Sequence, residues 1–251
     1  MRKSQILWSA CALLFMACAT NNGDVRKREV AYRDLGKQYY LAGDFTSALK
    51  YLLEAEKMNP DDHILQNYLG QVYLAKTKPE LAVAHFKQAL VLKPDYAVAK
   101  NNLGVAYLNE QRYDEAIDVF KEVSGDLLYA TPHYPLTNTG YAYYMKKDYP
   151  EAERYYQKAL ELESGFPLAL RGLGRTYLAQ GKGAAAQAAL TAAIDKDPTS
   201  AEAYYDLGES YLLLQNPAKA KGAFQKAVQL KPESPEGKAA QRQLMTLQNI
   251  P

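Results

Sequence analysis

Between residues 29 and 233 apolar positions recur at helical spacing and are interrupted by turn residues at a fixed interval. A Leu-Gly pair or its equivalent places a glycine at Gly36, Gly70, Gly104, Gly140, Gly174 and Gly208, with separations of 34, 34, 36, 34 and 34 residues. A tyrosine stands three residues after every one of them, at Tyr39, Tyr73, Tyr107, Tyr143, Tyr177 and Tyr211. Twelve residues after each glycine comes an alanine, Ala48, Ala82, Ala116, Ala152, Ala186 and Ala220, and four further on the side chain is large: Leu52, Phe86, Phe120, Tyr156, Leu190 and Phe224. The Leu, Gly and Tyr positions share one face of a helix with a 3.6-residue period. Pro79, Pro150 and Pro217 stand at or near the first turn of a second helix, where the missing N–H costs nothing, while Pro60, Pro94, Pro198 and Pro232 close four of the units. The pattern predicts six helix pairs at about 29–62, 63–96, 97–132, 133–166, 167–200 and 201–233, with a final helix, Ser234 to Asn249, in the segment 234–251.

The residue types follow from packing. Gly and Ala belong where the two helices of a pair approach closely, and the large residues fill the space beside them. One pair cannot bury its apolar face alone, so stacking supplies the core and the last helix caps it with a more polar outer side. A 34-residue period with these residues resembles the tetratricopeptide repeat (TPR). The resemblance implies an all-α, right-handed α-solenoid of six TPR helix pairs with a C-terminal capping helix.

Ahead of the repeats, Met1 to Lys3 is a short basic region and Ile6 to Ala17 an apolar run ending in a small residue. Twelve helical residues span roughly 18 Å, too short for a hydrocarbon core of about 30 Å, so residues 1–17 read as a signal peptide rather than a membrane span. The run ends in LFMAC, which resembles the bacterial lipobox; Cys18 is the expected lipidated first residue of the mature chain. Cys11 lies within the apolar run and leaves with the leader. Residues 18–28 then form the lipidated cysteine and a polar, flexible spacer.

Hydrophobic residues at 48% and charged residues at 23% exclude a disordered chain and a polytopic membrane protein. Without Arg2 and Lys3 of the leader, 28 basic residues balance 28 acidic ones, which leaves no basic excess to attract nucleic acid. From Ala19 onward there is no cysteine, hence neither a disulfide framework nor thiol chemistry. His63, His85 and His133 are far apart and lack metal-ligand spacing, so surface or capping roles are expected of them. Asp61 and Asp62, between Pro60 and a helix, read as cap and first-turn residues. No phosphate loop or GxSxG motif occurs, and no stretch remains for a catalytic domain; the reading is a non-catalytic scaffold that needs no cofactor and no metal.

Relative positions 2, 5, 9, 12 and 13 of each first helix turn away from its partner helix in such an array and line a groove. The first three units place Val30, Arg33, Lys37, Tyr40 and Leu41, then Ile64, Asn67, Gln71, Leu74 and Ala75, then Val98, Asn101, Val105, Leu108 and Asn109 there, and the fourth adds Tyr134, Tyr141, Tyr144 and Met145. Apolar surface interleaved with amides suits an extended or helical peptide of a protein partner. The alternative for Tyr144, Leu74, Leu108 and Leu178 is packing against the neighbouring unit. The carboxylate clamp of chaperone-binding TPR domains is incomplete, since Val98 and Asn102 stand where it needs basic residues.

The longer interval between Gly104 and Gly140 carries an Asp-Leu-Leu-Tyr segment, Asp126 to Tyr129, ahead of Pro132, Asn138 and Gly140. With the lipobox and the six repeats, this resembles the type IV pilus biogenesis and stability lipoproteins, the pilotins of the PilF/PilW family. The resemblance implies a periplasm-facing outer-membrane lipoprotein, held by its lipid anchor alone, that helps the pilus secretin reach that membrane and multimerise. Ala19 after the cysteine agrees, an Asp there being the usual signal for retention in the inner membrane. The alternative is another periplasmic TPR adaptor lipoprotein, serving barrel assembly or a peptidoglycan enzyme.

Overall fold

The computed structural model describes residues 24–126 and 129–248. The expected signal peptide, Cys18, the first part of the spacer and the middle of the Asp126–Tyr129 segment lie outside the described residues. Among those residues the chain is all α-helix, with no strand. The first helix, α1, covers 24–41. It is followed by α2 (Phe45–Met58), α3 (His63–Ala75), α4 (Pro79–Leu92), α5 (Ala97–Asn109), α6 (Tyr113–Ser124), α7 (His133–Met145), α8 (Tyr149–Leu162), α9 (Pro167–Ala179), α10 (Gly183–Lys196), α11 (Ala201–Leu213), α12 (Pro217–Leu230) and α13 (Pro235–Gln248). Odd-numbered helices up to α11 are the first helices of the six predicted pairs, and α13 is the cap. Residues 24–28, expected in the flexible spacer, are instead helical: half-buried Val25 and buried Glu29 stand four apart and give α1 an inward face.

Two compact units divide the chain, the first ending at Gln111 and the second beginning at Arg112. The first holds α1–α5 and the second α6–α13, so the boundary falls inside the third predicted pair.

Helix starts are set locally. The side chains of Asp44, Asp62, Asp148, Ser200 and Asn216 accept from backbone N–H groups in the first turns of α2, α3, α8, α11 and α12, which satisfies donors that a helix start leaves without partners. Asp62 thus has its expected cap role, at 2.8 Å from the Ile64 N–H. The turn between the helices of each pair passes through one residue with positive φ, at Gly43, Thr77, Gln111, Lys147, Gly181 and Gln215. These sites repeat in the register of the core glycines. Four carry side chains in a conformation that costs roughly 1–2 kcal/mol outside glycine, which is why the turn left no glycine pattern to read.

The core follows the predicted positions. The alanine of every unit is fully buried, and of the six large residues only Tyr156 retains as much as 2% exposure. In the first unit a Cβ on Gly70 would lie 2.5 Å from the Phe86 ring; in the second, one on Gly208 would lie 2.4 Å from Phe224. The glycine is required because the ring of the second helix rests directly on the first helix's backbone. α13 closes the second unit by burying Ala240 against Phe224, and Ser234 caps it by accepting from the Gly237 N–H at 3.0 Å.

The recurrent tyrosines stack on the residue just before the large one: Tyr39 on Tyr51 at 5.3 Å, Tyr143 on Tyr155 at 5.4 Å and Tyr73 on His85 at 5.1 Å. His85 therefore differs from its expected surface role. It is half-buried, with Nδ1 2.7 Å from Gln66 Oε1, and burial pulls its pKa below 6.5 against the opposing charge of Glu56. A histidine whose folded pKa is depressed is protonated more readily in the unfolded chain. Its contribution is intact above pH 6.5 and is lost as pH falls through the folded value. The urea midpoint is expected to drop between pH 7.5 and 5.5, and to drop less in His85→Tyr, which installs the residue that pairs one and four carry there.

Candidate partner-binding surface

The first helices of the first unit, α1, α3 and α5, carry every residue assigned above to the groove of pairs one to three. Val98 is 45% exposed and Leu41 70%. Lys37 is exposed, and Val30, Ile64, Gln71, Leu74, Asn101, Val105 and Leu108 are half-buried. Three members of the expected set are otherwise engaged. Asn67 is buried and accepts from Asn102 Nδ2 at 2.9 Å, so its amide is not free for a ligand backbone. Arg33 donates to Asp62 at 2.5 Å beside buried Glu29. Tyr40 packs on Phe45 and Tyr68.

Arg33 and Asn67 share relative position 5, and the second unit repeats the arrangement of Asn67. Arg171, also at position 5, donates from Nε to Asp206 Oδ2 at 2.7 Å. Arg171 and Asp206 are separated by 35 residues, as are Asn67 and Asn102. In these two cases position 5 of one first helix meets position 6 of the next, while Arg33 reaches Asp62 at the cap of α3, so each of the three polar groups links neighbouring pairs.

The second unit carries cavities along its first helices. Its first helices α7, α9 and α11 border two cavities that share Tyr144 and Arg175. One, of about 190 Å³, lies between α7 and α9 and is lined by Tyr141, Tyr144, Tyr156, Leu168, Arg171 and Arg175, among others. The second, of about 470 Å³, continues to α11, where Tyr205, Asp206, Glu209 and Leu213 border it. Tyr134, Tyr141 and Met145 are each exposed, as expected. Tyr144 borders the two cavities, packs on Tyr149 within its own pair and carries Arg175 of the neighbouring pair over its ring.

Charge is unevenly partnered along this face. Burial pushes the Asp206 carboxyl up, against the pull of Arg171 and Arg175. Burial also raises Glu209, opposed by its hydrogen bond to Tyr205, and Gln243 of α13 donates to it at 3.0 Å. Arg175 lies over the Tyr144 ring, 4.9 Å from its centroid. Leu168, Arg171 and Arg175 stand at positions 2, 5 and 9 of the fifth pair, and Tyr205 and Glu209 at 5 and 9 of the sixth. The register that marked the earlier pairs reaches them unchanged, so the signal was present beyond the fourth pair. Among the described residues no group of three or more His, Cys, Asp or Glu side chains is placed to hold a metal. None of the described helices is long and apolar enough to cross a membrane.

Stacked helix pairs with an apolar, charged face along their first helices define a helical-repeat scaffold for polypeptide partners. Tetratricopeptide repeat models match residues 33–97, 69–126 and 171–235, and a further one residues 134–166. The chain belongs to the tetratricopeptide repeat family, whose members bind protein partners and whose fold typically serves as a non-catalytic scaffold. Among solved structures it resembles PilW, a widely conserved type IV pilus biogenesis factor, with a TM-score of 0.77 and 22% identity over 85% of this chain and 98% of that one. It also resembles Pseudomonas aeruginosa PilF, with a TM-score of 0.71 and 21% identity over 87% and 99%. YrrB, a TPR protein with an unusual peptide-binding site, gives 0.52 and 24% over 76% and 97%. At these identities the likeness is one of fold. A curated relative, the BBSome complex member BBS4 of Bos taurus, is 26% identical over 206 residues; the match covers 82% of this chain but only 39% of that protein.

Proposed function

We propose that this TPR scaffold is a pilotin: an outer-membrane lipoprotein, anchored through Cys18 and facing the periplasm, that assists the type IV pilus secretin in reaching the membrane and multimerising. The observation that carries the reading is likeness over nearly whole chains, since 98% of PilW and 99% of PilF are covered. The Asp126-to-Tyr129 segment before Pro132 and the lipobox support it from the sequence. The scaffold holds a segment of the secretin along the face of its first helices while the lipid fixes the complex at the membrane.

In a strain lacking this chain the secretin is expected to remain monomeric in membrane extracts resolved by semi-denaturing electrophoresis, and pilus assembly to stop. Normal secretin multimers in that strain remove the pilotin reading and favour another adaptor lipoprotein.

A further inference from the structure

In the second unit, Arg171 directs its Nε to Asp206 at 2.7 Å. Arg175, one turn further along α9, is half-buried and has no carboxylate within ion-pair distance among the described residues. Its guanidinium lies over the Tyr144 ring at the junction of the two cavities. Asp206 attracts it through space but is already held by Arg171, so two guanidiniums share one carboxylate and a further carboxylate is favoured beside Arg175, and a planar guanidinium on an aromatic face still presents its edge for a bidentate contact with a carboxylate. Beside it the mouth of the α7–α9 cavity is apolar: Tyr141 is 38% exposed and Leu168 58%. About 190 Å³ is below the roughly 300–1,000 Å³ of cofactor and drug-sized pockets, and fits one large side chain. The opening into the 470 Å³ cavity along α11 lets a chain continue past it.

We propose that the face formed by α7, α9 and α11 is a peptide site that takes a carboxylate on Arg175 and a neighbouring aromatic or large aliphatic side chain in the pocket of Tyr141 and Leu168. This rests on the reading of the chain as a protein-binding scaffold and adds the chemistry of the segment it recognises. The occupant is an Asp or Glu next to a large apolar residue in the partner. The first unit carries Lys37 at the equivalent position 9, exposed and over the Tyr68 ring, but as a point charge without the bidentate fork of a guanidinium.

The test is selection of random dodecapeptides displayed on phage against the full chain, with recovered peptides titrated by fluorescence anisotropy against wild type, Arg175→Gln, Arg175→Lys and Leu168→Asp. The expected consensus is an acidic residue adjacent to Phe, Tyr, Trp, Leu or Met. Its affinity should fall at least tenfold in Arg175→Gln and in Leu168→Asp, fall less in Arg175→Lys, and weaken with added salt. Circular dichroism of each variant separates loss of binding from loss of fold, and Leu168, exposed in the free chain, supplies a substitution that spares packing. Peptides that bind but lack the acidic residue, or that compete only with substitutions at Ile64 and Val98, overturn this site and leave the scaffold reading intact. No enriched peptide at all, or a dimer of this chain abolished by Arg175→Gln, overturns the peptide site itself.

Discussion

Phe86→Ala is expected to cost about 3–5 kcal/mol. Phe86 is fully buried, and its ring lies over Gly70, where even a Cβ would approach to 2.5 Å. Removing the ring leaves a hole beside Gly70, which has no side chain to fill it. In a stacked array each pair is held by its neighbours, so the loss passes to the interfaces of α4 with α5 and α3 with α5. Against a total stability of about 5–15 kcal/mol this empties much of the folded population. Phe86→Leu should cost less, about 1.5 kcal/mol or under, since the first and fifth pairs carry Leu52 and Leu190 in this place. Urea denaturation followed by circular dichroism checks both; an unchanged midpoint for Phe86→Ala contradicts the packing described.

Cys18→Ser is expected to move the protein from the membrane fraction to the soluble periplasm. Each buried CH₂ contributes about 0.8 kcal/mol, so a single acyl chain binds marginally and reversibly, whereas the three chains of a mature bacterial lipoprotein make release negligible. None of the described helices is long and apolar enough to cross a membrane. Fractionation, with mass spectrometry of the amino terminus, reads the result. A soluble and unmodified wild-type chain overturns the lipoprotein proposal, while the fold and the peptide site stand without it.

The helix pairs were legible because their determinants are local and recur six times. A glycine that must admit a ring, an alanine that must lie flat and a large residue sixteen positions after the glycine leave a signal that chance substitution in one pair cannot erase. The groove was legible only as a set of positions. Arg33 and Asn67 occupy groove positions, yet both are engaged by partners 29 and 35 residues away, and nothing local distinguishes a polar residue that links pairs from one that awaits a ligand. His85 looked unremarkable because its environment comes from Tyr73 and Gln66 on the preceding helix. The setting of Arg175 was likewise invisible: it comes from Tyr144, on a different pair, and from Arg171 holding the Asp206 carboxylate that both guanidiniums share.

The proposed partner, a segment of the pilus secretin, would lie along the first helices of the second unit. Site-specific photocrosslinking in cells tests it most directly, with a photoreactive amino acid placed at Leu168 on α9 or, as the comparison, at Leu162 near the end of α8, where the side chain is 56% exposed. An adduct with the secretin is expected from position 168 and none from position 162. A secretin adduct from position 162 with none from position 168 would contradict it.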